Sequence, residues 1–404
     1  MAVFWHRVGL CLLFCGVIGQ LPAQEEDPLV ELQERIVTIQ QEHAPAVVTV
    51  FAQHRPADPE QPASHFVGTG FFISREGLIL TATNVVFGAD RVWVENDGAG
   101  YLAEVVGADR LTNVAILRLL AVPENLTFLR FPEEPQLPAV GSLLVSISSE
   151  LGMAPGPEFG LVSGRNTTYG ERVLPTIYLR TTLALNGGEN GAPVFDLNGN
   201  LIGMAIIGLP ETRSSFVLPV RALERVRDDV LFSGEVTFAH FGFTTLELRD
   251  PAQASRVVVE GVEPGGPAEA AGVEPNDIIL RLGPFDIRRD DDLRRAFFFT
   301  RPDERVDLVV LRDGKKRTLM LKAGRRERPP TAVELSPRDS LKLPDGSVPP
   351  GETTPAESEA ASVETAEPTV ETPTDVPANT PEESAPLEPR EGVNGTPEED
   401  GSGR

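Results

Sequence analysis

Leu185-Asn-Gly-Gly-Glu-Asn190-Gly-Ala-Pro193 decides how this chain is read. Its glycines let the backbone turn tightly, and the strand-like run Leu201-Ile-Gly-Met-Ala-Ile-Ile207 follows closely. Two other stretches also set an asparagine against an apolar run: Ile79-Leu-Thr-Ala-Thr-Asn84-Val-Val86 and Asp109-Arg-Leu-Thr-Asn113-Val-Ala-Ile-Leu117. Around them Val47-Val-Thr-Val-Phe51, Gly70-Phe-Phe-Ile73, Arg91-Val-Trp-Val94 and Leu143-Leu-Val-Ser-Ile147 are short, β-branched or aromatic, and punctuated by Gly, Asn and Pro. Many short strands divided by turn signals predict a mainly β barrel or sandwich from Ala46 to about Arg227. Ser74-Arg-Glu-Gly77 and Asp196-Leu-Asn-Gly199 read as its hairpin loops.

Working outward, Leu29, Leu32, Ile36 and Ile39 recur at three- and four-residue steps, so Pro28 to about His43 reads as an amphipathic helix ended by Pro45. Packing on the neighbouring barrel is its expected role, with self-association as the alternative. Leu218 to Arg227 reads as a helix closing the β domain, with Phe232-Ser-Gly234 as linker. A second unit then runs from Glu235 to about Ala323. Its strands include Phe241-Gly-Phe243, Val257-Val-Val259, Asn276-Asp-Ile-Ile-Leu280, Val306-Asp-Leu-Val-Val-Leu311 and Thr318-Leu-Met-Leu321, with an Asp313-Gly314 turn between the last two. Gly266 to Gly272 and Asp290 to Phe299 are its helices. After Arg325 the chain is Pro, Glu, Thr, Ser and Ala, which cannot bury enough surface to offset chain entropy, so 325–404 is expected to be disordered.

The three asparagine stretches resemble the HtrA/Deg-type family of trypsin-like proteases, where these segments typically read ILTNNHVV, DxxTDLAVL and INPGNSGGP. The unit after Glu235 is similar to that family's PDZ domain, except that Asn276 stands where Gly is usual. The resemblance covers about Ala46 to Ala323. It implies a trypsin-like double β-barrel (46–230) and a PDZ domain (235–323; a β-sandwich or partly open barrel with two helices). It also places Asn84 at the general-base position, Asn113 at the orienting position and Asn190 at the nucleophile position.

Trypsin-type acyl transfer needs a hydroxyl, a base to take its proton and an anion to orient that base. A carboxamide supplies none of these near neutral pH. Losing nucleophile or base alone costs on the order of 10⁶ in turnover in a well-studied protease. The expectation is therefore a pseudoprotease with no catalytic residue. The opposing expectation is an active serine-type endopeptidase working from a non-classical site. Thr83 and Ser163 are the nearby hydroxyls, and both suit ordinary local hydrogen bonding better. His43, His54, His65 and His240 suit surface or packing roles, and no His/carboxylate spacing suggests a metal. The amides of Gly188 and Asn190 remain as an oxyanion-hole remnant. Two readings of them stand side by side: a cleft that still binds peptide, and glycines kept only for the turn.

By the same resemblance, the PDZ unit takes C-terminal carboxylates of peptides or unfolded proteins as an added strand. His240, Phe241, Gly242 and Phe243 would form the carboxylate loop and pocket, with Leu293 and Phe297 on the opposing wall. Family members assemble as trimers, so a homotrimer or a hetero-assembly with an active relative is implied. The role expected is envelope quality control or regulation of that relative.

Composition bounds the rest. Net charge is −24, and residues 331–404 hold 17 acidic against four basic residues. Such a chain is repelled by phosphates and anionic lipid, which argues against nucleic-acid binding. Residues 1–24 read as a secretory signal, with a Val8–Ile18 apolar core too short to span a membrane. Both cysteines, Cys11 and Cys15, fall within it. The product is expected to be exported, periplasmic or extracellular, and free of disulfides and cofactors. Lipidation of Cys15 is disfavoured by Phe14 before it.

Overall fold

The computed structural model describes residues 27–55, 62–150, 152–169, 172–209, 212–249 and 255–326, together with the backbone of 341–342. The leader (1–24) and nearly all of the tail lie outside the described residues.

Helix α1 (Pro28–His43) is capped by Asp27, whose side chain accepts from Leu29 N. It lies against the second barrel through its C-terminal half: Ile39 is buried and the His43 ring stacks on Phe195 at 4.4 Å. Leu29 at its start stays exposed, so only part of the apolar stripe is used.

The first barrel holds β1 (Val47–His54), β2 (Ser64–Phe72), β3 (Leu78–Ala82), β4 (Arg91–Asn96), β5 (Ala99–Asp109) and β6 (Val114–Leu119). Their order is β1-β4-β5-β6-β3-β2, and β2 pairs back onto β1 from Val47↔Phe71 to His54↔Ser64. Inward-facing Val48, Val50, Ile79 and Leu117 fill it, as alternation on a pleated strand requires. The single turn α2 (Thr83–Val86) follows β3.

The second barrel is closed in the order β10-β11-β12-β9-β8-β7. Its strands are β7 (Leu143–Ser148), β8 (Gly156–Tyr169), β9 (Arg172–Thr181), β10 (Pro193–Phe195), β11 (Leu201–Leu209) and β12 (Ser214–Pro219). Leu144, Val162, Leu179, Val194 and Val217 pack inside.

Helix α3 (Val220–Ser233) follows and ends where Gly234 turns left-handed. It is longer than the Leu218–Arg227 reading, and Phe232 and Ser233 belong to it rather than to a linker. The added turn buries Asp229 and Val230.

The last module holds β13 (Ala239–His240), β14 (Phe243–Leu248), β15 (Arg256–Val262), α4 (Pro267–Ala271), β16 (Ile278–Leu282), β17 (Phe285–Asp286), α5 (Asp290–Phe299), β18 (Arg305–Arg312), β19 (Lys315–Lys322) and β20 (Gly324–Arg325). The main sheet runs β14-β15-β16-β18-β19, with β17 on β16, while β13 pairs β20. The module thus extends past Ala323. Asn276 has φ 72°, a left-handed value that asparagine tolerates and most residues do not, which accounts for it in a usual glycine position. Asp277 beside it is enclosed and held by Arg312 Nε and Nη2 at 2.6 and 2.7 Å. Burial alone would raise its carboxyl. The Arg312 bonds and the Glu274 amide outweigh that and hold it below the ordinary range.

A short strand β21 (Leu341–Lys342) pairs with Val67 and Phe66 of β2. A tail without any backbone pairing is therefore corrected at these two residues: the edge of β2 beyond β3 offers amides and carbonyls that an extended segment can satisfy.

Candidate functional site

Asn84, Asn113 and Asn190 are 2%, 1% and 1% exposed, so none presents its side chain to solvent. Two of them are joined directly. Asn113 Oδ1 accepts from the Asn84 backbone N–H at 2.8 Å, and Asn113 Nδ2 donates to Asn84 Oδ1 at 3.1 Å and to Ile206 O at 2.9 Å. The turn that presents Asn113 is built by Asp109. Its carboxylate accepts from Thr112 N at 2.9 Å and Thr112 Oγ1 at 2.6 Å, and Asn113 then takes φ 60°. Burial raises the Asp109 carboxyl against those hydrogen bonds. Thr83 Oγ1 donates to Asp109 O at 3.1 Å, and Ser163 Oγ accepts from Arg180 Nε at 3.2 Å. Both hydroxyls are thus engaged in local bonds.

Asn190 comes from the second barrel, on a turn that abuts β2. Thr69 N donates to Asn190 O at 3.0 Å, and Thr69 Oγ1 donates to Gly188 O at 3.3 Å. Gly191 has φ 98°, and a Cβ there would lie 2.0 Å from Thr69 O, so only glycine lets this turn sit on β2. The turn is held by reciprocal capping: Gly188 N donates to Asn186 Oδ1 at 2.9 Å and Asn186 N to Glu189 Oε2 at 2.9 Å. The Gly188 N–H, expected as part of an oxyanion-hole remnant, is thus engaged with the Asn186 side chain in this structure. A Cβ at Gly208 of β11 would lie 1.9 Å from Leu185 O, so the Leu185–Asn186 backbone rests directly on β11.

Glu189 is a buried residue that the sequence reading passed over. Ser148 Oγ donates to its Oε1 at 2.6 Å. Burial raises its carboxyl above the ordinary range, against the Ser148 and Asn186 bonds that favour the anion. A carboxyl raised by folding withdraws stability as pH climbs from its unfolded value, near about 4.3, through its folded one. Glu189→Gln retains an acceptor for Asn186 N–H and a donor for Ser148 Oγ. Thermal unfolding across pH is therefore expected to show it at least as stable as the parent at pH 7, with the parent's decline above about pH 4.3 reduced.

Of the described histidines, His54 lies beside α2, its ring bonded to the Val85 backbone. His54 and His65 contact Phe66 and Trp93, and His43 is stacked on Phe195. Burial lowers the His43 and His54 imidazoles. Among the described residues no cluster of three or more His, Cys, Asp or Glu could hold a metal, and no helix is long and apolar enough to cross a membrane.

In the last module, β14 ends the sheet order and has no partner on its outer side among the described residues. Between β14 and α5 lies a cavity of about 850 Å³ lined by Phe243, Leu246, Leu293, Arg294 and Phe297, with Thr167 and Pro175 of the barrel on the far side. Phe241 and Phe297 stack at 4.3 Å, and Phe243 meets Phe297 edge-on at 5.6 Å. Phe241 is buried and floors the cavity rather than lining it. Gly242 O accepts from Glu263 N at 2.8 Å, and His240 Nε2 lies 2.5 Å from Glu263 Oε2. Of the six residues expected at this site, Phe243, Leu293 and Phe297 line the cavity, whereas His240, Phe241 and Gly242 are not among its lining. Phe298, by contrast, is buried between the module and the barrel.

Two closed six-stranded barrels followed by this sheet-and-helix module define a trypsin-like peptidase fold carrying a PDZ domain. The trypsin-like peptidase domain family matches residues 68–204, and the PDZ domain family matches 239–323. HtrA-type proteins are what the chain is similar to in carrying these two domains in this order. A probable periplasmic serine endoprotease DegP-like from Marinomonas sp. (strain MWYL1) is 30% identical over 308 residues, covering 72% of this chain and 64% of that protein. One from Halomonas elongata is 32% identical over 272 residues, covering 64% and 56%. The chain thus spans somewhat under two thirds of these relatives' length. Among solved structures, the HtrA-type protease AlgW with a tripeptide superposes with a TM-score of 0.60 at 24% identity, over 73% of this chain and 98% of that one.

Proposed function

We propose that this chain is an exported, catalytically inactive HtrA-type protein that binds peptides or unfolded-protein C-termini through its PDZ groove. The observation that carries this reading is the state of Asn84, Asn113 and Asn190. They are carboxamides, two of them bonded to each other, and at most 2% exposed. No imidazole among the described residues is bonded to a hydroxyl near them, so no group there takes a proton from a nucleophile. The contact of Leu185 with Gly208 and the engaged Gly188 amide also favour the PDZ groove over the barrel cleft as the binding surface. A free sheet edge opposite an apolar helix face suits an added strand, with side chains at alternate positions entering the cavity.

Export is supported by the leader-like residues 1–24 and by relatives named periplasmic. A solved neighbour named with a bound peptide supports the ligand class. Envelope quality control, or regulation of an active relative by hetero-assembly, is the role that a binding module without hydrolysis fits.

Purified mature protein is expected to leave unfolded casein intact and to take up no fluorophosphonate probe. It is expected to bind a fluorescent hydrophobic peptide with a free C-terminal carboxylate and not its amidated form. Phe297→Ala should weaken that binding about tenfold through lost apolar contact. Labelling or cleavage that persists in Asn190→Ala would require a non-classical site and overturn the reading.

A further inference from the structure

A second cavity, of about 380 Å³, lies where the second barrel meets the PDZ module, and three arginines line it: Arg165 of β8, Arg221 of α3 and Arg295 of α5. No acidic side chain lines it; its other walls include Gln136, Thr176 and Phe299. In a chain of net charge −24, three guanidinium groups around one hollow need a physical account.

Glu224 near Arg221 and Asp292 near Arg295 temper the charge, but the arginines' hydrogen bonds and ring contacts leave the three guanidinium groups without an ion pair among the described residues. Arg165 is held in place by Nη2, which donates to Pro138 O at 2.7 Å and Leu137 O at 3.2 Å, so its other N–H groups remain to be used. Arg221 lies over the Phe299 ring at 5.1 Å and Arg295 over Phe285 at 5.1 Å, contacts that orient a guanidinium without neutralising it. None of the three forms an ion pair among the described residues. Asp292 is the acid nearest in charge to Arg295, but its Oδ2 already accepts from the Arg288 and Arg289 amides at 3.0 and 3.1 Å. Arg295 is held below its ordinary range by burial first, then by repulsion from Arg221 and Arg165. Like charges kept together at this cost are stabilised by an anion between them, and planar guanidinium forks match an oxyanion with two parallel hydrogen bonds.

We propose that the Arg165–Arg221–Arg295 hollow is an oxyanion site, taking a phosphate or a peptide carboxylate and pinning the PDZ module to the barrel. Two arginines belong to the barrel and its helix and the third to the PDZ helix, so an anion bonded to all three links the modules. This site adjoins the β14–α5 groove, with Arg165 lining both cavities, and it stands whether or not the barrel is inactive.

The test is isothermal titration of the full mature chain with inorganic phosphate, and separately with a triglutamate peptide, each against chloride at matched ionic strength. Saturable binding of at least one is expected. It should weaken about tenfold in Arg295→Gln and in Arg221→Gln, each of which removes a charged hydrogen-bond donor from the anion. Both side chains reach the surface, and circular dichroism of each variant checks that it folds. Phosphate binding with none by triglutamate identifies a free anion as the ligand class; the reverse identifies an acidic peptide segment. No saturable binding of either probe, or binding equal in parent and folded variants, overturns the proposal.

Discussion

An Asn84→His/Asn113→Asp/Asn190→Ser variant is expected to gain no measurable turnover and to melt below the parent. Imidazole, carboxylate and hydroxyl together are worth on the order of 10⁶ in a competent protease, yet restoring them here does not recover that factor. Three features of the geometry produce this failure. Asn113 Nδ2 donates to Ile206 O at 2.9 Å, and an aspartate has no hydrogen to offer there. Two oxygens would face each other with a carboxylate buried between them, a loss of about 3 kcal/mol. The Gly188 N–H is spent on Asn186 Oδ1, and losing one oxyanion donor costs about 10²–10³ in turnover. The Leu185 carbonyl resting on Gly208 leaves no room for a substrate side chain between those segments. Fluorophosphonate labelling, peptide kcat/KM and the thermal midpoint of the triple variant check this together. A gain above about 10³ would mean that the fold lacked only its three reactive groups and that the turn around Gly188 rearranges freely.

That contrast explains what could be read from the chain and what could not. α1 and α5 follow from local periodicity and lie where the pattern places them, at Pro28–His43 and Asp290–Phe299. The Asp313-Gly314 turn is equally local, with both residues at positive φ as a tight hairpin requires. The length of α3 is not local: its last turn is stabilised by burying Val230 and Asp229 against other elements, and nothing in Asp228-Asp-Val-Leu-Phe232 announces that. The neighbourhood of Asn84 and Asn113 was legible only through resemblance, since 29 residues separate them. The direction of the Gly188 amide was not legible even so, because a glycine shows that a backbone can turn and not which acceptor it will meet. Glu189 stayed hidden for the same reason, its Ser148 partner lying 41 residues away. The arginine hollow joins three elements from positions 165, 221 and 295, each an ordinary surface arginine in its own segment.

The junction that the arginine hollow adjoins has a buried ionic core, and cutting it is expected to be among the most damaging single changes. Arg225 and Asp229 of α3 are 4% and 6% exposed. Asp229 Oδ1 accepts from Arg301 Nε of the PDZ module at 2.8 Å, and its Oδ2 lies 3.4 Å from Arg225 Nη2. Burial pulls the Arg225 guanidinium down to about 10, which still leaves it charged at neutral pH. Its other supports are Thr237 O at 2.7 Å, the Phe298 and Phe238 rings at 4.5 and 5.6 Å, and the more distant charges of Asp109 and Glu304. Asp229→Ala removes the one anion bridging two cations and strands Arg225 in a dry site, a loss of about 3–5 kcal/mol. At roughly 2–4 °C per kcal/mol for a fold of this size, the midpoint should fall by about 10 °C. Arg301→Met separates the two contributions. It keeps the α3 pair, and Arg301 is half exposed, so the midpoint should fall by only about 2 °C. Both variants break the tie between modules, and Phe232, 95% exposed at the end of α3, then reports the loosening. Limited chymotrypsin digestion should cut after Phe232 several-fold faster in each variant than in the parent. Equal cutting rates would mean that apolar packing around Phe298, rather than the ion bridge, holds the PDZ module in place.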